Sequence, residues 1–115
     1  MQVSIIIVNY NTKHLTADCI DSIIAKTSEV EYEIILVDNA SSDGSQEEFS
    51  SDGRILFLEA GDNLGFGKAN NLGAQHAKGD YIFFLNSDTL LLNNAIYEMW
   101  RYSEEHKEDN IGGLG

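Results

Sequence analysis

Residues 80–90 read DYIFFLNSDTL, an apolar run that changes to polar side chains without an intervening turn residue. The run YIFFL at 81–85 is continuous and rich in aromatic and β-branched residues, which is typical of a strand covered on both faces. Asn86, Ser87 and Asp88 follow it directly. A carboxylate at the end of a buried strand belongs either to an ordinary turn or to a site, and the ends of the other strands distinguish the two.

Three other segments share this continuous apolar pattern. They are residues 3–8 (VSIIIV), 34–37 (IILV) and 55–58 (ILFL). Short runs of this kind, rich in β-branched or aromatic residues, are typical of parallel strands that are covered by helices on both sides. The sequence therefore predicts four buried strands in all.

Helical periodicity fills the segments between these runs. A first helix is predicted after Thr12, a candidate N-cap, because apolar residues recur there at helical spacing. These residues are Leu15, Cys19, Ile20, Ile23 and Ile24. The other predicted helices cover 43–50, 66–78 and 93–106. Gly79 is placed to end the helix over 66–78, since glycine is common just after a helix.

Strands and helices alternate along the chain with short connections, which predicts a mostly parallel sheet wrapped by helices. The predicted fold class is therefore α/β. With 115 residues and 43% hydrophobic content, the chain can bury one core, so a single domain is expected.

The composition argues against nucleic acid as a partner and against secretion. Seven Lys and Arg against nineteen Asp and Glu give a net charge of -12, which repels phosphate backbones, so nucleic acid is not an expected partner. Cys19, the single cysteine, cannot form an internal disulfide and is expected to fill the core, which favours a reducing cytoplasm. The apolar run at 3–8 is too short for a signal or membrane-spanning segment.

Polar side chains follow three of the four predicted strands. They are Asn9, Tyr10 and Asn11 after the first strand, Asp38 and Asn39 after the second, and Asn86, Ser87 and Asp88 after the fourth. Because the carboxyl ends of parallel strands lie along one edge of a sheet, where ligands bind, these side chains are expected to be neighbours. Each group alone has an ordinary explanation as a turn, but together they predict a site.

The residue types at this edge favour a hard cation. Carboxylate and amide oxygens suit Mg²⁺ or Mn²⁺, which usually takes one or two protein carboxylates and completes its shell with water and substrate phosphates. A diphosphate ligand is therefore implied. No Cys or His pair stands at metal-ligand spacing, which disfavours zinc. Lys68 is either a second cation for the phosphates or an ordinary surface lysine.

Other phosphate-binding designs fit the sequence less well. The segment NYNTKH at 9–14 lacks the glycines of a dinucleotide-binding fingerprint, and GFGKANNLG at 65–73 has neither its spacing nor its location. A P-loop is also absent. A phosphoacceptor response-regulator domain would need acidic residues after the first strand, where Asn9 and Tyr10 stand.

Three segments carry a resemblance to a known family. They read SIIIVNYN at 4–11, ILVDNASSDGS at 35–45 and NLGFGKANNLGAQHAKGDYIFFLNSDTLL at 63–91. In this order and spacing they resemble the family 2 glycosyltransferases of the GT-A fold, especially the rhamnosyltransferase-like bacterial branch, over essentially the whole chain. The resemblance implies a three-layer α/β/α, Rossmann-like fold of the nucleotide-diphospho-sugar transferase type, with a mostly parallel sheet.

The resemblance also assigns residues to a nucleotide site. Val8, Asn9 and Tyr10 look like the family's pocket for the nucleotide base, and Asp38 looks like the carboxylate that hydrogen-bonds a uracil or thymine. The segment 65–71 resembles the family's second nucleotide-contacting region. The matching positions in that segment are Gly65, Lys68, Asn70 and Asn71.

Asn86, Ser87 and Asp88 match the family's metal motif, usually written DXD, with one departure. Asn86 replaces the first aspartate, so its amide can hydrogen-bond ribose or another ligand group but adds no charge. The resemblance implies that Asp88 binds Mg²⁺ or Mn²⁺ and that Asn86 and Ser87 contact the nucleotide. A site with one carboxylate is expected to bind the cation more weakly than a site with two.

The family reaction transfers a sugar from a nucleoside-diphosphate donor, here a UDP- or dTDP-sugar, to an acceptor hydroxyl, with inversion. The resemblance implies that residues 1–115 are the donor-binding part of such an enzyme in polysaccharide or cell-surface glycan synthesis. The general base and the half that binds a glycan or lipid-linked acceptor are expected beyond Gly115, so the chain alone is expected to be inactive. A location in the cytoplasm, including the inner face of the membrane, is expected.

The end of the chain bears on an alternative function. Residues 111–115 (IGGLG) look like the start of another strand that is cut short. A nucleotide-binding or interaction module without transfer activity stays open, either from truncation or from loss of the metal site through Asn86. A carboxylate after a downstream glycine-rich strand would favour the enzyme, and a stop codon after Gly115 would favour the module.

Several other residues are expected to be structural. Gly73 is expected to let its helix pack closely on the sheet, and Asp43 to cap the short helix over 43–50. Tyr97 and Trp100 stand at helical spacing and are expected in the core. The histidines share no ligand spacing and are expected at solvated or edge positions; they are His14, His76 and His106.

Overall fold

The computed structural model describes residues 1–107. Its strands are β1 (Val3–Asn9), β2 (Tyr32–Asp38), β3 (Leu56–Glu59) and β4 (Tyr81–Leu85). Its helices are α1 (Lys13–Lys26), α2 (Ser45–Phe49), α3 (Phe66–Gln75) and α4 (Ala95–Glu105). The strand expected to begin at 111–115 lies outside the described residues.

The strands form one parallel sheet in the order β3-β2-β1-β4. β1 lies between β2 and β4, and its last residue, Asn9, is paired with Asp38, the last residue of β2. The predicted α/β class with a parallel sheet is confirmed. Because all strands run the same way, their carboxyl ends share one edge of the sheet.

Two of the strands are less buried than the sequence predicted. Every residue of β1 is buried, whereas β3 and β4 are the outer strands of the sheet that residues 1–107 form. On β3, Leu56 is 40% exposed, and on β4, Phe84 is 37% exposed. The prediction that all the strands are covered on both faces was therefore wrong for β3 and β4. An apolar run predicts that a strand forms, but it does not show whether that strand lies at the centre or at the edge of the sheet.

The side chains of β1 alternate between two apolar clusters, one on each face of the sheet. Val3, Ile5 and Ile7 pack in the cluster to which α1, α2 and α4 contribute. Ile6 and Val8 pack in the cluster to which α3 contributes. Alternation with a period of two residues puts successive side chains on opposite faces of a strand. The helices therefore cover both faces of the sheet, which gives the predicted three-layer arrangement.

Gly73 brings α3 close to the sheet, as predicted. A Cβ atom at this position would lie 2.7 Å from Ile6 Cγ2 and 3.1 Å from Val37 Cγ2. Real Cβ contacts are essentially never shorter than 3.0 Å, so a side chain there would push the helix away from β1 and β2. The absence of a side chain at Gly73 therefore sets the distance between α3 and the sheet.

Gly79 does not end α3, contrary to the sequence prediction. The helix ends at Gln75, and His76 follows it in a right-handed helical conformation. A Cβ on Gly79 would lie 2.5 Å from Ser4 N and 2.6 Å from Val3 C, and Gly79 N donates a hydrogen bond to Ser4 Oγ over 2.8 Å. Gly79 is required because the chain passes against the backbone of β1 just before β4 begins.

The first turns of α1 and α2 share one carboxylate. Thr12 occupies the N-cap position of α1, but its hydroxyl makes no capping bond. Lys13 N donates instead to Asp43 Oδ2 over 3.0 Å, and Ser45 N donates to Asp43 Oδ1 over 3.1 Å. Asp43 therefore satisfies an amide at the start of each helix, although Gly44 holds the N-cap position of α2. Thr12 thus stands at the N-cap position that was predicted for it, without a capping bond from its hydroxyl. Asp43 accepts the bond from Ser45 N, but it stands one residue before the N-cap of α2 and not at the N-cap position.

One aromatic residue of α4 packs against the core cluster that contains Val3, Ile5 and Ile7. Trp100 is partly buried against that cluster, as predicted. Tyr97 is half-buried, and its ring centroid lies 6.0 Å from that of Trp100. Ile96 is the buried residue of the helix and packs in the same cluster.

Candidate functional site

A cavity of about 420 Å³ lies at the carboxyl edge of the sheet. Residues that follow β1, β2 and β4 contribute to its wall, together with the first residues of α1 and α3. The lining residues are Val8, Tyr10, Thr12, Leu15, Asn39, Asn63, Phe66, Asn86, Ser87 and Asp88. The cavity is therefore where parallel topology and the polar strand ends predicted a site.

The cavity unites some of the predicted site residues. Val8, Tyr10, Asn86, Ser87 and Asp88 all line it. Two residues that were expected within one crevice, Tyr10 and Asp88, therefore line the same cavity although they are far apart in sequence.

Other predicted residues do not line the cavity. Asn9 and Asp38 are completely buried beneath it. The remaining residues outside the lining lie on or just before α3, and they are Gly65, Lys68, Asn70 and Asn71. Lys68 and Asn71 are exposed, while Asn70 is half-buried and its Oδ1 has no hydrogen-bond partner.

The Asp38 carboxylate is occupied by groups of the chain itself. Its Oδ1 accepts a hydrogen bond from Asn9 Nδ2 over 2.8 Å, and its Oδ2 accepts one from Ser41 N over 3.0 Å. Gln46 Nε2 also lies within reach of Oδ2, at 3.4 Å. A buried carboxylate needs such donors, because an unpaired buried charge is costly. In this structure, Asp38 therefore supports the loop after β2 from below and has no surface of its own in the cavity.

The loops after β1 and β2 are joined by side chains of the polar strand ends. Asn11 has a φ of 53°, in the left-handed region that asparagine tolerates better than most residues. Its backbone N donates to Ser41 Oγ over 2.9 Å, and its Oδ1 accepts a bond from Ser42 N over 2.8 Å. These bonds fix the backbone that presents Tyr10, so the position of the phenol depends on the second loop.

Asn39 is a cavity residue that the sequence analysis placed at the sheet edge without giving it a role. Its Nδ2 donates to the carbonyl of Gly65 over 3.3 Å, and its Oδ1 accepts from Leu64 N over 3.1 Å. Asn63 Oδ1 accepts a further bond from Gly65 N over 3.1 Å. Asn39 thus holds the turn before α3, where Gly65 has a φ of 82°, and so positions Phe66 at the cavity.

Apolar side chains at the cavity were also missed. Phe66 is 57% exposed and lines the cavity with Leu15. Leu15 was predicted on the core face of α1, but it is 49% exposed and does not join the core. Its helical spacing fits the pattern of a core residue. However, α1 begins beside the cavity, where no other layer covers an apolar side chain. Exposed apolar residues beside polar ones are a usual composition of a ligand pocket.

The predicted metal motif lies at the cavity surface. Asn86 and Asp88 are exposed and Ser87 is half-buried. No cluster of three or more His, Cys, Asp or Glu able to hold a metal ion is found among residues 1–107. A cation here would therefore need most of its oxygen ligands from water and from a bound substrate.

Cys19 lies behind the predicted metal motif and is buried, as expected. Its thiol donates to the carbonyl of Asn86 with a separation of 3.8 Å between sulfur and oxygen. Burial raises the pKa of the Cys19 thiol to about 11, and the negative charge of Asp88 adds to this effect. A thiol of this kind stays protonated near neutral pH and supports the backbone under the motif.

The structure resembles solved glycosyltransferases in fold. S. aureus TarS 1-349 in complex with UDP-GlcNAc matches with a TM-score of 0.79 and 24% identity, over 93% of this chain and 32% of that chain. The mannosyltransferase PcManGT from Pyrobaculum calidifontis, in complex with GDP-Man and Mn²⁺, matches with a TM-score of 0.71 and 23% identity, over 84% of this chain and 30% of that chain. At these identities the similarity shows the GT-A fold alone.

Curated proteins are more similar in sequence. Poly(ribitol-phosphate) beta-glucosyltransferase of Bacillus spizizenii is 32% identical over 115 residues, which cover 95% of this chain and 18% of that protein. Glycosyltransferase GlyG of Streptococcus pneumoniae is 31% identical over 115 residues, which cover 96% of this chain and 38% of that protein. The chain therefore spans only a minor part of the length of either relative.

No helix within the part of the chain that the structure describes is long and apolar enough to cross a membrane.

The membership of a family follows from the match along nearly the whole chain. The sequence model described as "Glycosyl transferase family 2" matches residues 4–114, which include the entire cavity lining and all of the described strands except Val3. The chain therefore belongs to glycosyl transferase family 2.

Proposed function

We propose that this chain is the donor-binding part of a glycosyltransferase that transfers a sugar from a nucleoside diphosphate to an acceptor hydroxyl, in the synthesis of a polysaccharide or cell-surface glycan. Membership of the family supports the reaction class. The single observation that carries the assignment of the site is that Tyr10 and Asp88 line one cavity at the carboxyl edge of the sheet. An aromatic ring and a carboxylate there suit the two ends of a nucleoside diphosphate, its base and its charged phosphates.

The base end of the donor is proposed to lie against Tyr10 and Val8. Tyr10 is 48% exposed at the cavity, so its ring has a free face on which a base can stack. Phe66 offers a second aromatic surface on the opposite element, α3. Asp38 was expected to hydrogen-bond the base directly. Its burial favours a supporting role, in which it holds Asn9 and the loop that carries Ser41.

The diphosphate end is proposed to lie near Asn86, Ser87 and Asp88. One exposed carboxylate with amide and hydroxyl oxygens beside it fits Mg²⁺ or Mn²⁺, because these ions need few protein carboxylates when phosphates and water complete the shell. Asp88 would hold the ion. A bound cation supplies positive charge that stabilises the leaving diphosphate.

The segment before and within α3 is proposed as a second contact for the donor. Gly65 and Lys68 stand near the start of α3, where free backbone amides and a lysine favour phosphate. Asn71 is exposed and available to a ligand, while Asn70 keeps a buried, unpaired Oδ1. The general base and the contacts with a glycan or lipid-linked acceptor are proposed to belong to residues beyond Gly115.

Isothermal titration calorimetry with UDP, dTDP and GDP tests the nucleotide site. We expect UDP or dTDP to bind, and Tyr10→Ala to weaken that binding by about tenfold, since stacking of one base on an aromatic ring is worth about 1–3 kcal/mol. Tyr102→Ala is the matched control, because Tyr102 is a similarly exposed aromatic residue on α4 outside the cavity lining. Binding that Tyr10→Ala leaves unchanged would refute the proposed base site.

A nucleotide-binding module without transfer activity is the second candidate, favoured by the single carboxylate of the metal motif. It predicts the same nucleotide binding but no cation dependence. Calorimetry in Mn²⁺ and in excess chelator therefore separates the two candidates: an increase in UDP affinity with the cation favours the enzyme, and equal affinity favours the module.

A further inference from the structure

The segment between β4 and α4, which carries the predicted metal motif, is attached to the middle of α1. Thr89 N donates to the carbonyl of Asn86 over 3.0 Å, which closes a turn with Asp88 at its third position. The same carbonyl accepts a bond from Cys19 Sγ, with 3.8 Å between sulfur and oxygen. The backbone at the start of the turn is therefore held against α1.

Ser22 makes a second attachment, on the other side of Asp88 in the sequence. Its Oγ accepts a hydrogen bond from Leu91 N over 3.0 Å and donates its own hydrogen to the carbonyl of Cys19 over 2.8 Å. Both directions are fixed, because a backbone amide only donates and a carbonyl only accepts. The side chain of Leu91 packs against the core cluster that contains Cys19. The backbone shortly after the turn is therefore also held by α1, about one helical turn further along.

The two attachments decide where the carboxylate of Asp88 stands. Asp88 is exposed and lines the cavity, so packing does not hold its side chain. Its place therefore depends on the backbone between Asn86 and Leu91, which is bound to α1 at both ends. Leu15, near the start of the same helix, also lines the cavity. One helix thus supports the predicted metal motif and forms part of the wall beside it.

We infer that Ser22 is a positioning residue for the cation site at Asp88, acting through the amide of Leu91. The inference rests on the proposed function for the cation and the nucleotide, but not for the contacts. Ser22 lies outside the cavity lining, so its effect on a ligand is indirect. Mg²⁺ accepts ligands only within a narrow range of distances, about 2.0–2.1 Å, and the motif offers one carboxylate. If the turn shifts, no second carboxylate of the motif compensates for the misplaced one.

Calorimetry with UDP, in Mn²⁺ and in excess chelator, tests this role. Ser22→Ala removes the acceptor of Leu91 N. We expect it to weaken UDP binding in Mn²⁺ by about three- to tenfold, the effect of one hydrogen bond, and to change binding in chelator by less than about twofold. Ser22→Thr, which keeps the hydroxyl, should retain the affinities of the unaltered chain. Equal losses in Mn²⁺ and in chelator would overturn the inference, and so would the absence of any loss.

A double-mutant cycle in Mn²⁺ shows whether Ser22 acts through Asp88. Asp88→Asn removes the charge that would hold the cation. The variant that carries both Ser22→Ala and Asp88→Asn should bind UDP as tightly as Asp88→Asn alone, because a side chain without that charge has no effect of position to lose. Additive losses would overturn the inference, since they would show that Ser22 affects binding independently of the cation site.

Ser103→Ala is the matched control. Ser103 lies on α4, and its Oγ donates to the carbonyl of Met99 over 2.9 Å, much as Ser22 donates to the carbonyl of Cys19. Ser103 lies outside the cavity lining and does not hold the segment after β4. Ser103→Ala should therefore leave UDP affinity unchanged in Mn²⁺ and in chelator. If it lowered the affinity in Mn²⁺ as much as Ser22→Ala does, loss of a helix hydroxyl would explain both effects and the inference would be wrong.

Amide hydrogen exchange without ligand separates this inference from the proposed function. Ser22→Ala should speed the exchange of the Leu91 amide by about three- to tenfold. The amide of Asp80, which donates to the carbonyl of Met1 at the other end of β4, should exchange as in the unaltered chain. Faster exchange at Leu91 in a chain whose UDP affinity does not respond to Mn²⁺ would keep the attachment and refute the cation site, together with the positioning role. Unchanged exchange at Leu91 would refute the attachment, whatever the chain binds.

Discussion

Asn9 and Asp38 are paired residues at the carboxyl ends of adjacent strands, and the Asn9 amide donates a hydrogen bond to the Asp38 carboxylate over 2.8 Å. Both side chains are completely buried. The bond joins β1 to β2 through side chains at the point where their backbone pairing ends. Two residues that were each predicted to meet the nucleotide thus meet one another, and the cavity is built on top of them.

Asp38→Ala should destabilise the chain. The substitution removes the acceptor of one hydrogen of the buried Asn9 Nδ2, which keeps its bond to Ser41 Oγ, and the acceptor of the partly buried Ser41 N. We therefore expect a loss of roughly 2–4 kcal/mol in the free energy of unfolding, measured in urea. Glu59→Ala is the control, because Glu59 is the exposed partner of Asp38 on β3 and should change the free energy by less than about 0.5 kcal/mol. Equal stabilities of the two variants would contradict the structural role of Asp38.

Asp88→Asn should remove the effect of a cation on nucleotide binding. It keeps the size of the side chain and removes the charge that would hold Mg²⁺ or Mn²⁺. Calorimetry with UDP should give the same affinity with and without Mn²⁺ for this variant, whereas the unaltered chain should bind UDP more tightly with Mn²⁺. Asp18→Asn, on the exposed side of α1, should behave as the unaltered chain does. Retained cation dependence in Asp88→Asn would place the ion elsewhere.

Two glycines of α3 should respond oppositely to alanine. Gly73→Ala places a methyl group 2.7 Å from Ile6 Cγ2, and such overpacking should cost about 1–3 kcal/mol of stability. Gly67→Ala has no atom within 4 Å of its added methyl group, so it should stabilise the helix by about 0.5–1 kcal/mol. Thermal unfolding of both variants would measure the difference. A stabilising Gly73→Ala would show that the helix can move away from the sheet at little cost.

Asp43 should contribute stability that is lost in acid. The hydroxyl of Ser45, followed by the amides of Lys13 and Ser45, holds the pKa of the Asp43 carboxyl below its ordinary value of 3.8. A lowered folded pKa means that the stabilisation is fully present above about pH 4 and disappears as the pH falls through the lowered pKa. The stability difference between the unaltered chain and Asp43→Asn should therefore shrink from pH 5 to pH 2 in urea unfolding.

Ser45→Ala provides an independent check of that pH dependence. It removes the hydroxyl that makes the largest contribution to the shift, and leaves the amide of Ser45 as a donor. Its stability difference should show part of the same decline toward low pH. If Asp43→Asn and the unaltered chain lose stability in parallel between pH 5 and pH 2, the carboxylate has no special role at the helix starts.

Much of the architecture could be predicted because buried side chains follow apolar patterns that are visible within short segments of the sequence. The continuous apolar runs of β1 and β2 and the helical spacing of Cys19, Ile20 and Ile23 record side chains that pack against the next layer. Gly73 could be assigned for the same reason, since close packing of a helix on a sheet requires a small residue. The family of the chain could also be predicted from the sequence, because the family's motifs lie in short, separate segments.

The limits of the sequence prediction are clearest at Leu15, Asn39 and Gly79. Leu15 has the spacing of a core residue, yet the layer that would cover it gives way to the cavity. Asparagine is common in turns, so Asn39 fits a turn. Its hydrogen-bond partners, Leu64 and Gly65, lie 25 and 26 residues away in the sequence. Gly79 stands where a helix could end, yet it is needed for an approach to β1 that no local pattern reveals.

The polar side chains at the ends of parallel strands could be predicted from short segments, because each segment carries its own apolar run and its own polar ending. Which of those side chains face the cavity and which lie beneath it depends on the three-dimensional packing. Asp38 and Asp88 are both acidic residues after a strand, but one is completely buried by Asn9 and the loop after β2, and the other is exposed. The two differ because burial and hydrogen-bond direction depend on neighbours that the fold brings together from distant parts of the chain.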